Sequence, residues 1–143
     1  MVGYRKVLVL LDLSENSDQV AVAARDMAAQ SAGDLVALHV VEFIPVEPMG
    51  ESLMPSMPVE VELVKRARER LADMVRRLEL PRATCRVEAG NTKSEILRVA
   101  AEERPDLIVV GSRERHGIAI LVNFTEDTVL HAAHCDVLAI RLK

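Results

Sequence analysis

The sequence predicts an α/β protein built on one doubly wound sheet of about five parallel strands. Continuous apolar runs, such as residues 6–11, are typical of strands that are buried on both faces. Helix-like segments alternate with these runs along the whole chain. Because crossover connections between parallel strands are right-handed, we expect helices on both faces of the sheet. Among the common five-stranded layouts we expect the strand order 3-2-1-4-5. This order makes the first and fourth strands neighbours.

Five segments have strand character in the sequence. They are residues 6–11, 35–41, 82–88, 106–110 and 136–141. The third segment alternates between polar and apolar residues, as expected for a strand at a sheet edge. His39 lies in the middle of the second, in apolar surroundings, and we expect it to be a hydrogen-bonded core residue.

Helices are expected over residues 20–29, 59–80, 94–103 and about 125–133. Caps for the first helix are offered by Ser14, Asn16 and Ser17. Pro58 is placed to begin the second helix, whose expected buried face comprises Val61, Val64, Leu71, Met74, Val75 and Leu78. Thr92 and Glu95 have the spacing of a capping box for the third helix.

The composition limits the classes of function. The chain has 143 residues, which suits a single domain over residues 1–143. Its 18 basic and 22 acidic residues are interspersed, and only 2% of residues are aromatic, so neither a nucleic-acid footprint nor base stacking is expected. No segment approaches the ~20 apolar residues that cross a bilayer. Two cysteines, Cys85 and Cys135, form no disulfide framework, and we expect a cytoplasmic protein.

Two segments are expected to meet where the strand order reverses. Ligands of open α/β sheets bind beside the carboxyl ends of strands at this point. Residues 10–14 and residues 111–117 would face it, and both are places where the sequence changes from apolar to polar. Asp12 could accept a hydrogen bond from the amino group of a base or hold a cation. Asp12 and Ser14 could equally satisfy the N–H groups that open the first helix.

The segment from Gly111 to Thr125 is the second candidate. Main-chain N–H groups, the start of the last helix and the cations Arg113 and Arg115, together with His116, could bind a phosphate. Glu114 opposes this, because an inward-pointing carboxylate about 5 Å from a phosphate costs about 3 kcal/mol at an effective dielectric constant of ~20. A charged surface turn is the alternative, and the residues alone leave both open.

Other constellations are weaker. His131, His134 and Cys135 have spacings that could share a helical face and bind a metal, but no fourth ligand is evident, and surface histidines with a buried thiol are favoured. A triad of Ser14, His116 and Asp12 lacks a nucleophile-elbow pattern, so no catalytic residue is predicted. Residues 43–58 carry four prolines and three methionines. They suit a mobile lid or connector more than an interaction surface for partners.

Several of these segments resemble the universal stress protein family in the correct order. The opening strand ends in Val9-Leu-Leu-Asp12-Leu-Ser14, similar to the V-D-x-S ending of the family. Leu38-His39-Val40 and the D-L-I-V-x-G-[ST] segment at residues 106–112 are similar to two further family patterns. The likeness covers essentially the whole chain. It implies a Rossmann-like fold of the adenine-nucleotide alpha-hydrolase type, a cytoplasmic location and a homodimer paired through residues 136–141.

The resemblance also implies an adenine-nucleotide site with a damaged phosphate cradle. Its base-facing residues would be Leu10, Asp12 and Val40, with Ser14 beside them. Nucleotide-binding members carry G-x2-G, eight or nine residues, and G-[ST]. Carried over residue by residue, this pattern falls on Gly111 and Glu114 and, with the eight-residue spacing, on Asn123 and Phe124, with Thr125 just beyond. Gly111 is retained, whereas two glycines and one hydroxyl are missing; Arg113, Arg115 and Gly117 lie within the same loop.

The resemblance therefore implies a non-catalytic stress-response module, and three outcomes stay open for its site: weak binding of ATP, a preference for nucleotides of fewer phosphates such as AMP, or no nucleotide binding. Asn123 tolerates left-handed backbone and could keep a turn, but Phe124 cannot donate to a phosphate. The alternative is a functional ATP- or AMP-binding member with slow ATP hydrolysis. In that case Arg113 and Arg115 replace the lost contacts and Asp12 lies near a Mg²⁺ ion, which is expected only with bound ATP.

Overall fold

The computed structural model describes residues 3–42, 57–80, 82–113, 129 and 131–142. The strands are β1 (Lys6–Leu10), β2 (Asp34–Glu42), β3 (Ala83–Gly90), β4 (Leu107–Arg113) and β5 (Asp136–Leu142). The helices are α1 (Ser17–Ala29), α2 (Met57–Arg77) and α3 (Thr92–Glu103). Of the predicted helix at about 125–133, Val129, His131 and Ala132 are helical, and most of its remainder lies outside the described residues.

The strands form one parallel sheet in the order β3-β2-β1-β4-β5, which confirms the predicted topology. Val9 of β1 is level with Val109 of β4, and Leu10 is level with Leu38 of β2. From β1 the chain first adds β2 and β3 on one side of the sheet, and it then returns to add β4 and β5 on the other side. The strand order therefore reverses between β1 and β4. The predicted switch point is therefore present, and β3 lies at an edge as expected.

Two apolar clusters cover the two faces of the sheet. On one face, α1 packs mainly on β1 and α2 packs on β2 and β3, and Val20, Ala24 and Leu71 belong to the shared cluster. On the other face, Ile96 and Val99 of α3 pack with Val129. Alternate residues of the central strands β1, β2 and β4 enter opposite clusters, so each of these strands needs a continuous apolar run. In the described ranges, no helix is long and apolar enough to cross a membrane.

The helix bounds differ from the sequence prediction, since α1 begins at Ser17 instead of Val20 and α3 begins at Thr92 instead of Ser94. Three further details also differ. Asn91, rather than Thr92, is the N-cap of α3, and its side chain accepts a hydrogen bond from the Ser94 amide at 3.0 Å. Val61 is 61% exposed rather than part of the buried face of α2. This helix ends at Arg77 instead of Leu80, because Glu79 adopts a left-handed φ of 51°, which an α-helix cannot continue through.

Candidate functional site

The carboxyl ends of β1 and β2 form an apolar wall. Leu10 and Val40 are both half-buried and pack against the cluster that also contains Ile96 and Val99 of α3. The two residues therefore face the same side of the sheet, as a purine-binding wall requires. Partly exposed aliphatic side chains next to a few polar groups are typical of small-molecule sites.

Asp12 follows this wall directly and is exposed. Its Oδ1 accepts hydrogen bonds from the Ser14 amide at 2.9 Å and from the Ser17 hydroxyl at 2.8 Å. Ser17 is the first residue of α1 and is buried, whereas the N-cap residue Asn16 makes no side-chain capping bond. Asp12 therefore holds the loop that leads into α1, through the Ser14 amide and the Ser17 hydroxyl rather than through the N–H groups of the first helical turn that the capping alternative expected. Its side chain is exposed just beyond the carboxyl end of β1.

The loop between β1 and α1 is held by groups that sequence reasoning did not assign to the site. His39 Nδ1 lies 2.7 Å from the Leu11 carbonyl oxygen, so the proton must be on Nδ1, and the prediction that His39 is hydrogen-bonded is confirmed. Arg70 of α2 donates from Nη2 to the Leu13 carbonyl at 2.5 Å. The local sequence gives no signal for this contact, because 57 positions separate the two residues.

Gly111 lies on β4 with its missing side chain directed away from the apolar wall. A Cβ at this position would lie 2.8 Å from Leu142 Cδ1 and 3.1 Å from Val20 Cγ2. Both distances are shorter than ordinary van der Waals contact, and Val20 and Leu142 belong to the cluster on the α1 face. Packing between α1 and β5 therefore accounts for a glycine here whether or not a phosphate approaches the backbone.

The N-terminus of α3 is occupied by side chains of the protein itself. The Glu42 carboxylate, at the end of β2, accepts hydrogen bonds from the Thr92 amide at 3.1 Å and from the Thr92 hydroxyl. Asn91 Oδ1 accepts a hydrogen bond from the Ser94 amide. This helix end is a site of positive potential that could otherwise attract an anion. An internal carboxylate satisfies it, so α3 does not offer its N-terminus to a ligand phosphate.

The remaining predicted site residues lie at or beyond the end of β4. Arg113 is the last residue of this strand and is level with Leu142. Outside the described residues lie Glu114, Arg115, Gly117, Asn123, Phe124 and Thr125, and likewise His116 and the loop at 43–56. The predicted phosphate half of the site therefore lies outside the described residues and stays a prediction.

The three possible metal ligands near β5 do not share one helix. His131 is helical, but His134 and Cys135 lie in a bend before Asp136. Among the described residues, no three His, Cys, Asp or Glu side chains are close enough to hold an ion. Cys135 is only partly buried, and partial burial raises the pKa of its thiol.

A family model gives this fold and site their context. The model of the universal stress protein family matches residues 3–141. The chain belongs to this family. Universal stress protein A homolog 2 of Coxiella burnetii is 36% identical over 144 residues, which span all of this chain and 99% of that protein. Homolog 1 of the same organism is 32% identical over 141 residues, 98% of both chains.

Solved structures confirm the fold. The universal stress protein UspA from Lactobacillus plantarum superposes with a TM-score of 0.80 at 23% identity and covers 99% of this chain and 100% of its own. A universal stress protein solved in complex with cAMP gives a TM-score of 0.69 at 24% identity, covering 97% and 98% of the two chains. At these identities the likeness establishes the Rossmann-like architecture, and the resemblance seen in the sequence is confirmed at the level of family and fold.

Proposed function

We propose that this universal stress protein is a non-catalytic stress-response module with a reduced adenine-nucleotide site that favours one phosphate over three. The base would lie against Leu10 and Val40, and its amino group would donate to the Asp12 carboxylate. Leu10 ends β1, Val40 lies near the end of the neighbouring β2, and Asp12 follows two residues after Leu10. The two aliphatic side chains are half-buried there. An apolar wall with one acceptor suits a purine that carries an exocyclic amine.

The phosphate half is reduced in its chemistry. Glu114 stands where nucleotide-binding members have a glycine, and Phe124 stands where they have a hydroxyl donor. An anionic side chain near a triphosphate costs about 3 kcal/mol per charge pair at ~5 Å, or roughly a hundredfold in affinity. AMP carries less charge than ATP and needs fewer donors. The site would therefore bind AMP more tightly than ATP, with Mg²⁺ accompanying only the triphosphate.

The position of Gly111 is the observation that carries this proposal. It is the one glycine of the family pattern that the chain retains, and it could suggest an intact phosphate loop. Its missing Cβ faces Val20 and Leu142 instead of the crevice. Packing against α1 and β5 explains why Gly111 is retained, so its presence does not indicate a triphosphate site. The other two glycines of the pattern are replaced by Glu114 and Asn123. One structural neighbour was solved with cAMP, an adenine nucleotide that has a single phosphate, which supports the same preference.

The proposal extends to assembly and location. β5 is the last strand of the sheet, and three of its residues, Asp136, Ala139 and Arg141, are exposed. A second copy could pair along this edge and form the homodimer, which sedimentation at several protein concentrations would detect as a doubled mass. The two free thiols suit the reducing cytoplasm, and the domain would span residues 1–143. Fractionation of cells that produce the protein tests the location.

Calorimetric titration with ATP and with AMP tests the nucleotide preference. We expect AMP to bind at least about tenfold more tightly than ATP, because the repulsion at Glu114 grows with phosphate charge. Submicromolar ATP binding with measurable ATP hydrolysis would contradict the proposal. That result would favour the alternative, in which Arg113 and Arg115 replace the missing contacts.

A gain-of-binding variant sharpens the test. Restoring the family pattern with Glu114→Gly, Asn123→Gly and Phe124→Ser should raise the affinity for ATP more than that for AMP. Glu69→Gln is the matched control, because it also removes one negative charge but lies exposed on α2. If ATP binding is unchanged in the triple variant, the phosphate cradle lies elsewhere.

A further inference from the structure

A single peptide plane behind the candidate site is held from both ends. The unit joining Leu13 to Ser14 presents its carbonyl to Arg70 Nη2 at 2.5 Å and its N–H to Asp12 Oδ1 at 2.9 Å. Rotation of this plane would break both hydrogen bonds together. The orientation of the Asp12 carboxylate is thus linked to the position of one arginine on α2.

The backbone at this point adopts a conformation that needs such support. Leu13 has a φ of 61°, in the left-handed region that is unfavourable for a branched side chain. Its side chain is only 6% exposed and packs in the cluster shared by α1 and α2. Left-handed leucine persists only where the surroundings determine it. The buried side chain and the Arg70 bond to its carbonyl supply two such constraints.

A second contact fixes the helix that carries Arg70. Arg77, two turns further along α2, donates to both carboxylate oxygens of Asp18 at 2.7 and 2.9 Å. Asp18 lies in the first turn of α1. A bidentate arginine–carboxylate pair sets the relative position of two elements more strictly than a single bond. The start of α1 and the loop before it are therefore both attached to α2.

We propose that Arg70 is a positioning residue for the nucleotide site: by holding the Leu13–Ser14 peptide plane, it keeps the Asp12 carboxylate turned toward the base. This inference rests on the proposed function, because it assigns Asp12 to the base amino group. It goes further by making affinity depend on a residue of α2 that would not touch the ligand. Arg70 lies on α2 and is 57 positions along the sequence from Leu13, whose carbonyl group it binds.

Arg70→Gln tests the inference, with Arg66→Gln as the matched control. Arg66 lies on the same helix, is exposed and pairs with Glu62, one turn away, at 3.3 Å, so both variants remove one positive charge. Amide exchange of Ser14 is measured by NMR in the ligand-free proteins, and AMP affinity is measured by calorimetry. In Arg70→Gln we expect Ser14 exchange to accelerate, and AMP affinity to fall, by about tenfold each, the scale of one charge-assisted hydrogen bond.

Arg70→Lys keeps a cationic donor and should recover part of both effects, whereas Arg66→Gln should change neither. The lysine variant also serves if the glutamine variant does not fold. Unchanged Ser14 exchange in Arg70→Gln would overturn the role of Arg70. Faster Ser14 exchange with unchanged AMP affinity would also overturn the role of Arg70, because the loop could then move without weakening the binding of the base. Failure of the unmodified protein to bind AMP would instead overturn the proposed function, so the two failures are distinguishable.

Discussion

Replacing Gly111 with alanine separates packing from ligand binding at the one retained glycine of the family pattern. The new Cβ would lie 2.8 Å from Leu142 Cδ1 and 3.1 Å from Val20 Cγ2. Leu142 can move by rotating a flexible side chain near the end of β5. Val20 cannot adjust as easily, because a β-branched residue in a helix has one strongly preferred rotamer.

The expected loss of stability follows from these contacts. Overpacking a well-filled core typically costs about 1–3 kcal/mol. Alanine also restricts the unfolded chain, which raises the free energy of unfolding by roughly 0.4–1 kcal/mol and offsets part of this loss. The net loss should be about 1–2 kcal/mol, which corresponds to a fall in Tm of roughly 3–8 °C for a domain of this size.

Urea and thermal denaturation of Gly111→Ala measure this loss, and calorimetry at a temperature where the variant is folded measures AMP affinity. We expect lower stability with AMP affinity preserved within about twofold, since the added methyl group points away from Leu10 and Val40. In the double variant Gly111→Ala/Leu142→Ala the shortened neighbour leaves room for the new methyl group. Its loss of unfolding free energy should therefore be smaller than the sum of the losses in the two single variants. A variant of unchanged stability that no longer binds AMP would refute the packing explanation and return Gly111 to the phosphate loop.

Two further predictions concern α3. Asn91→Ala removes the acceptor of the Ser94 amide and should lower the free energy of unfolding by about 1 kcal/mol in urea titrations, whereas Asn91→Asp should preserve most of it. The Glu102 and Glu103 carboxyl groups have lowered pKa values, owing first to Arg86 for Glu102 and first to Lys6 for Glu103. A carboxyl group whose pKa is lowered by folding stabilises the protein above its unfolded pKa of about 4.5, and this stability is lost as the pH falls through the folded pKa. The urea midpoint should therefore decrease as the pH falls below about 4.5. The double variant Glu102→Gln/Glu103→Gln should show a shallower decrease, and an identical pH profile would contradict this assignment.

The sequence by itself determined the fold class, the strand order and the family. Strands that are buried on both faces are recognisable as continuous apolar runs, and the alternation of strands with helices is compatible with only a few right-handed topologies. It also located Leu10 and Asp12 at the switch edge, because the end of a strand is visible where an apolar run becomes polar, whereas Val40 was expected there only from the family resemblance. These features are local, so neighbouring residues in the chain suffice to reveal them.

Tertiary structure decided what local patterns leave open. Thr92 and Asn91 are both good capping residues, and only the packing of α3 against Glu42 selected Asn91 as the cap. Arg70 has the sequence context of a solvated helix face, yet it holds the backbone at Leu13. Gly111 has the context of a phosphate loop, yet its neighbours come from α1 and β5. Such contacts join residues far apart in the chain, and they exist only once the sheet and its helices have assembled.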